Sequence, residues 1–200
     1  THTGSSAASD VYKRQGQSVG LHQTGGFYAA STKEWYDYLK GERSKARYMR
    51  LDQEFISPKE LAERHPLIDP DHYHAVLWDA QDGHLDPSGT TYAFAKAARA
   101  HGAQYFTHCG ATAMTQRPDG SWDIVTPKGS INAEHVVNCG GLWAREVGQL
   151  AGINLPVQPM EHHYLITAPM DEVVNFGQQL PHGIDFEANV YCRQEGQGML

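Results

Sequence analysis

The sequence predicts a mixed α/β protein, and three observations carry that reading. Helical apolar spacing that ends at a glycine is followed by a short strand signal at residues 103–107, as in a crossover that returns to a parallel sheet. Residues 136–148, VVNCGGLWAREVG, run from a β-branched strand through paired glycines into a helix, which repeats the pattern. Residues 111–117 and 121–125 alternate as two strands, and Pro118-Asp119-Gly120 joins them as a hairpin.

Taken in order, residues 5–15, SSAASDVYKRQ, read as the translation of an adapter used in transposon-based library preparation. Residues 1–15 are therefore expected to be an artefact and are set aside. The chain proper is expected to start near Gly16, already inside a domain, and to be cut at the far end too, where QEGQGML has no cap or polar tail. Residues 18–30 alternate as a strand, with a turn or bulge at Gly25-Gly26. Ser31 caps a helix, with Glu34 three residues on and an apolar stripe of Trp35, Tyr38 and Leu39 before Gly41. A short second helix has Ser57 as cap, Pro58 first and Glu60 third, and stops at His65-Pro66. Asp82-Gly83 marks a turn. Asp86-Pro87-Ser88 opens a third helix that Gly102 closes. After the hairpin, residues 133–138 read as a strand, residues 142–151 as a helix, residues 161–167 as an alternating strand, and residues 190–193 as one more.

Composition narrows the function. Sixteen Lys and Arg against 23 Asp and Glu leave a net charge of −7 with no basic cluster, which argues against nucleic-acid binding. No apolar run approaches the roughly 20 residues of a spanning helix, so no membrane span is expected. Three cysteines, Cys109, Cys139 and Cys192, lack C-x-x-C spacing and suggest neither a disulfide framework nor a structural zinc site.

The motifs each have a plain structural reading beside the functional one. The Gly140-Gly141 turn bares backbone where a cofactor ring or phosphate could approach, and it also suits tight strand-to-helix packing. Gly196-Gln197-Gly198 lacks a following helix and reads as a turn or bulge. His72 and His74 would share a strand face, and His162-His163 are adjacent, but no carboxylate or cysteine stands at ligand spacing, so no metal is expected. Asp82, His84 and Asp86 read as a turn plus a helix cap. His162 and Tyr164 would face one way along their strand, and Arg193 could pair a substrate carboxylate or a structural glutamate.

Taken together, GLHQTGG, DAQDGHLDPSGTTYAFAKAARAHGA, VVNCGGLWAREVGQLAGINLPVQPMEHHYLIT and NVYCRQEGQGML closely resemble the flavin-dependent dehydrogenases of dimethylglycine and sarcosine, within the D-amino-acid-oxidase-like group. The resemblance covers residues 16–200. It implies an FAD-binding Rossmann-type sheet interleaved with an antiparallel-sheet substrate domain: residues 16–85 on the substrate side, 86–155 on the FAD side, and 156–200 on the substrate side again. It implies contact of the Ala111 backbone with the adenine end of FAD, and places Gly140, Gly141 and Trp143 near the flavin. His162 and Tyr191 fall on substrate-cavity residues and are the implied catalytic pair, while Cys192 replaces an aromatic found in some members.

The glycine fingerprint that holds the FAD pyrophosphate and the histidine that carries a covalent flavin link are expected outside this chain, as is a region that binds tetrahydrofolate in many members. The implied substrate is a small N-methylated amino acid. The electron acceptor, oxygen or an electron-transfer flavoprotein, is left open. The implied location is the cytoplasm of a bacterium or the mitochondrial matrix of a eukaryote. A related amine or amino-acid oxidase, or a non-catalytic FAD- or one-carbon-binding relative, stands as the alternative.

Overall fold

The structure, a computed structural model, describes residues 16–200; the adapter-like stretch, residues 1–15, lies outside the described residues. The described chain forms two compact units. One holds the residues up to Ala103 together with Tyr164–Leu200, and the other holds Gln104–His163.

The first unit is built on a five-stranded mixed sheet. Its strands are β1 (Gly26–Ala30), β2 (Gln53–Ile56), β3 (Ala75–Asp79), β7 (His182–Asp185) and β8 (Val190–Cys192), in the order β2-β3-β1-β7-β8. The central strand β1 is antiparallel to β3 and parallel to β7, and β7 is antiparallel to β8. Register sorts the side chains into rows. Phe55, Leu77, Tyr28, Ile184 and Tyr191 stand abreast, and Trp78, Phe27, Gly183 and Cys192 form the next row, on the opposite face.

Helix α1 (Lys33–Tyr48) covers the Tyr28 face, where Leu39 and Leu77 are buried among Trp35, Phe55 and Phe186. Helix α2 (Pro58–Arg64) covers the other face, burying Leu61 with Phe27, Val76 and Trp78. The third helix, α3 (Pro87–Ala100), buries Ala93 against Val19. At the far end, a hairpin of β9 (Gln194–Glu195) and β10 (Gly198–Met199) joins a short helix α5 (Asp171–Val174) around buried Val173, Leu180 and Met199.

The second unit is smaller. A three-stranded antiparallel meander of β4 (Ala113–Gln116), β5 (Trp122–Thr126) and β6 (Gly129–Ala133) precedes helix α4 (Ala144–Leu150).

Local sequence explains most helix boundaries. Ser57 accepts from the Glu60 N–H while the Glu60 carboxylate takes the Ser57 N–H, the capping box expected there. Asp86 caps α3 through the N–H groups of Ser88 and Gly89, as expected. Helix α1 differs. Its cap is Thr32, one residue past Ser31, and it runs through Gly41 to Tyr48. A mid-helix glycine costs about 1 kcal/mol, and burial of Leu39 and Ala46 on either side of it offsets that cost.

Three expected strands are absent from the ladders. Residues 103–107, 134–138 and 161–167 carry strand-like sequence but lie in irregular chain. A strand needs an edge to satisfy its backbone groups; of these segments 161–167 touches one only at its end, where the Thr167 N–H donates to Met199 O at 2.9 Å, and Phe106 and Val137 in the other two stay exposed. The parallel pair is instead β1 with β7, and β6 pairs with β5 although Gly129, Ser130 and Asn132 are poor strand formers. His72 ends a 3₁₀ turn, Pro70–His72, so His72 and His74 share no strand face.

Candidate functional site

The strand-to-helix turn expected to meet a cofactor lies in the second unit. Asn138 brackets it: its Oδ1 accepts the Gly140 N–H at 3.0 Å, and its Nδ2 donates to the Ala144 carbonyl at 2.8 Å. Gly140 suits this closure, since a Cβ there would crowd both Asn138 Oδ1 and Ala144 Cα at 3.0 Å. Gly141 has another role. It adopts φ +56°, and a Cβ would have no heavy atom within 4 Å, so bare backbone faces open space. Trp143 follows at 67% exposed. Bare glycine backbone beside an open indole suits a flat, ring-bearing cofactor. Ala111, half-buried, leads into the β4–β5 hairpin, where the Thr112 N–H donates to Val125 O at 2.8 Å.

The two expected catalytic residues fall in different units. His162 is an exposed residue in irregular chain of the second unit, not on a strand. Its neighbours Glu161 and His163 are 4.0 Å apart. Tyr191 sits on β8 in the first unit. Alternation sends Cys192 inward, where burial pushes its thiol pKa up, and leaves Tyr191 46% exposed on the face of Ile184 and Tyr28. That same face carries a cavity of about 280 Å³ walled by Tyr28, Tyr38, Leu77 and Phe186. Arg193 pairs with Glu195 at 2.7 Å, the structural glutamate of the two readings.

The first unit also gathers a polar cluster that sequence reasoning missed. His22 and His84 stack at 5.0 Å and 6° across an antiparallel bridge, closed by backbone hydrogen bonds of 2.8 and 3.0 Å. His22 Nδ1 meets Gln179 Oε1 at 2.8 Å. His182 Nε2 lies 3.3 Å from Asp82 Oδ2.

Burial lowers the His84 pKa, and the charges of Arg193, His22 and His182 lower it further. For Asp82, burial raises the pKa, but the bonds from His182 and the Gly83 N–H outweigh it and the net shift is downward. Tyr28 is raised by burial and then by Asp82 and Asp79. The cluster therefore sets the Asp82 carboxylate beside the His182 imidazole. The segment from Asp82 to Asp86 ends in the helix cap expected of it at Asp86, but the turn falls just before it, at residues 80–81. Its partners at positions 22 and 182 carry no local signal. No group of three His, Cys, Asp or Glu among the described residues is arranged to hold a metal.

Comparison with known proteins places these elements in context. Residues 5–200 match the family model described as FAD dependent oxidoreductase, DAO. The chain is 38% identical over 185 residues to dimethylglycine dehydrogenase, mitochondrial, of Rattus norvegicus, covering 92% of this chain and 22% of the relative. It is 32% identical over 203 residues to sarcosine dehydrogenase, mitochondrial, of Mus musculus, covering 99% of this chain and 22% of that relative. The chain thus spans about a fifth of the length of these relatives. Among solved structures, L-proline dehydrogenase from P. horikoshii superposes with a TM-score of 0.82 at 25% identity, over 98% of this chain and 52% of that one.

Proposed function

Since this chain belongs to the FAD-dependent oxidoreductase family, we propose that it is the central part of an enzyme that oxidises the N-methyl group of a small amino acid such as dimethylglycine or sarcosine. The observation that carries the reading is the 38% identity to a dimethylglycine dehydrogenase across nearly the whole chain. Residues 16–85 and 156–200 belong to the substrate side and residues 86–155 to the flavin side.

The turn at Gly140, Gly141 and Trp143 and the backbone at Ala111 hold the cofactor. Bound FAD supplies the acceptor for a hydride leaving the N-methyl carbon. The residues of this chain then have two tasks. Tyr191 donates or accepts a hydrogen bond to fix the substrate's orientation, which turns an encounter into a near-attack geometry. His162 favours the neutral substrate amine by accepting its proton or a hydrogen bond from it, which leaves the lone pair available as positive charge develops on the methyl carbon. A folate-binding region and a covalent flavin link belong to the longer protein. The relatives are named as mitochondrial, which supports a matrix location if the source is eukaryotic.

The test is anaerobic rapid mixing of the flavin-loaded whole protein with dimethylglycine and with sarcosine. Flavin bleaching by either amine supports the reading. A full flavin complement that neither amine bleaches contradicts it and favours a non-catalytic relative.

A further inference from the structure

A second cavity of the first unit, about 380 Å³, opens on the sheet face opposite Tyr191 and is lined by Arg64, Trp78 and Pro181. Gln23, Thr24, Gln178 and Gln179 complete it. Its chemistry is one-sided: one guanidinium, three primary amides, a hydroxyl and an indole wall, with no carboxylate in the lining. Two features present the guanidinium to the cavity.

The first is support from below. Arg64 Cζ lies over the Trp78 ring, 4.6 Å from its centre, a cation–π contact that supports the guanidinium while leaving its N–H groups without an acceptor among the described residues. Trp78 is only 9% exposed, and its ring is seated against Gly25, where a Cβ would come within 2.5 Å of it. The second is that Glu60, whose pKa the Ser57 hydrogen bonds lower and the Arg64 charge helps to lower, forms no direct ion pair with Arg64. Glu60, one helical turn before Arg64, has its carboxylate turned back onto Ser57, at 2.7 Å from the backbone N–H and 2.8 Å from Oγ. Among the described residues no carboxylate forms an ion pair with Arg64. Gln179 points its Oε1 at His22, which leaves its amide N–H₂ as a donor.

We propose that this cavity binds a small carboxylate, held in a bidentate pair by Arg64 and flanked by the glutamine amides. A fork of two parallel N–H donors matches the two oxygens of a carboxylate, and the volume accommodates a small molecule. In a chain of net charge −7, a guanidinium with no direct carboxylate partner in a concave site favours an anion locally where the overall field does not. The inference does not depend on the oxidoreductase reading, since it concerns the other face of the sheet.

The test uses glutarate as probe, titrated into the 200-residue chain by calorimetry at constant ionic strength, with chloride as the control anion. Saturable glutarate binding is expected, weakened about 10-fold or more in Arg64→Gln, since a hydrogen bond to a charged group contributes roughly 1.5–3 kcal/mol. Arg64→Lys should recover only part of it, because a point charge lacks the fork. The exposed Gln178→Ala provides a second variant that does not touch the fold, with a few-fold loss expected. Absence of saturable binding, binding equal in Arg64→Gln, or binding matched by chloride would each overturn the proposal.

Discussion

His65 offers the sharpest quantitative test of the packing. It closes helix α2, is 1% exposed, lies edge-on to Phe27 at 5.8 Å, and has no hydrogen-bond partner for either ring nitrogen. Burial lowers its pKa from 6.5 to about 4. The folded-state value is below the unfolded one, so the unfolded chain takes up the extra proton and stability falls as pH drops from 6.5 towards 4. Between pH 7.5 and pH 5 that single group costs about 2 kcal/mol. In His65→Leu this loss disappears. At pH 7.5 the variant should also be more stable by about 1–3 kcal/mol, because two unpaired polar atoms leave the core. Urea unfolding of both proteins at the two pH values measures the difference, and other titrating groups cancel between them. If wild type and variant lose stability equally on acidification, His65 is not a buried neutral imidazole and the account of this core is wrong.

Two further substitutions probe the cap and the cofactor turn. Ser57→Ala removes the hydroxyl that accepts the Glu60 N–H, and urea unfolding should show a loss of about 1 kcal/mol; no change would mean that the capping box contributes nothing to α2. Gly141→Val places a β-branched side chain at φ +56° and in the open space beside Trp143. In the whole protein it should lower flavin content, read from the flavin absorbance of the purified protein, and unchanged content would remove Gly141 from the cofactor surface.

What the sequence made legible was local. Ser57 with Glu60, and Asp86 with Pro87, announce helix starts because a cap is settled by a few consecutive residues, and both stand where expected. The hairpin around Pro118-Asp119-Gly120 is legible for the same reason. Strand pairing is not local. Residues 134–138 and 161–167 have strand-like composition yet join no ladder, whereas Gly129–Ala133 does, because a three-residue step from Thr126 brings it back onto β5.

The site shows the same division. Gly140 and Gly141 could be picked out because glycine itself is the signal. The meeting of His22, Asp82, His84 and His182 could not, since it depends on β1 and β7 pairing across roughly 150 residues of chain. Tyr191 and His162 were singled out by resemblance. Strand alternation supports the outward placement of Tyr191, and the strand expected for His162 is not formed.

The central claim is that this chain supplies the substrate side of a flavin oxidoreductase through Tyr191 and His162. Its most direct test is the rate of flavin reduction by dimethylglycine or sarcosine in the whole protein, compared with Tyr191→Phe and His162→Ala by anaerobic rapid mixing. The account predicts that both variants keep a full flavin complement and that reduction slows, or half-saturation rises, by about 10- to 1,000-fold. Parental reduction rates at every substrate concentration in both variants, with flavin content unchanged, would contradict it.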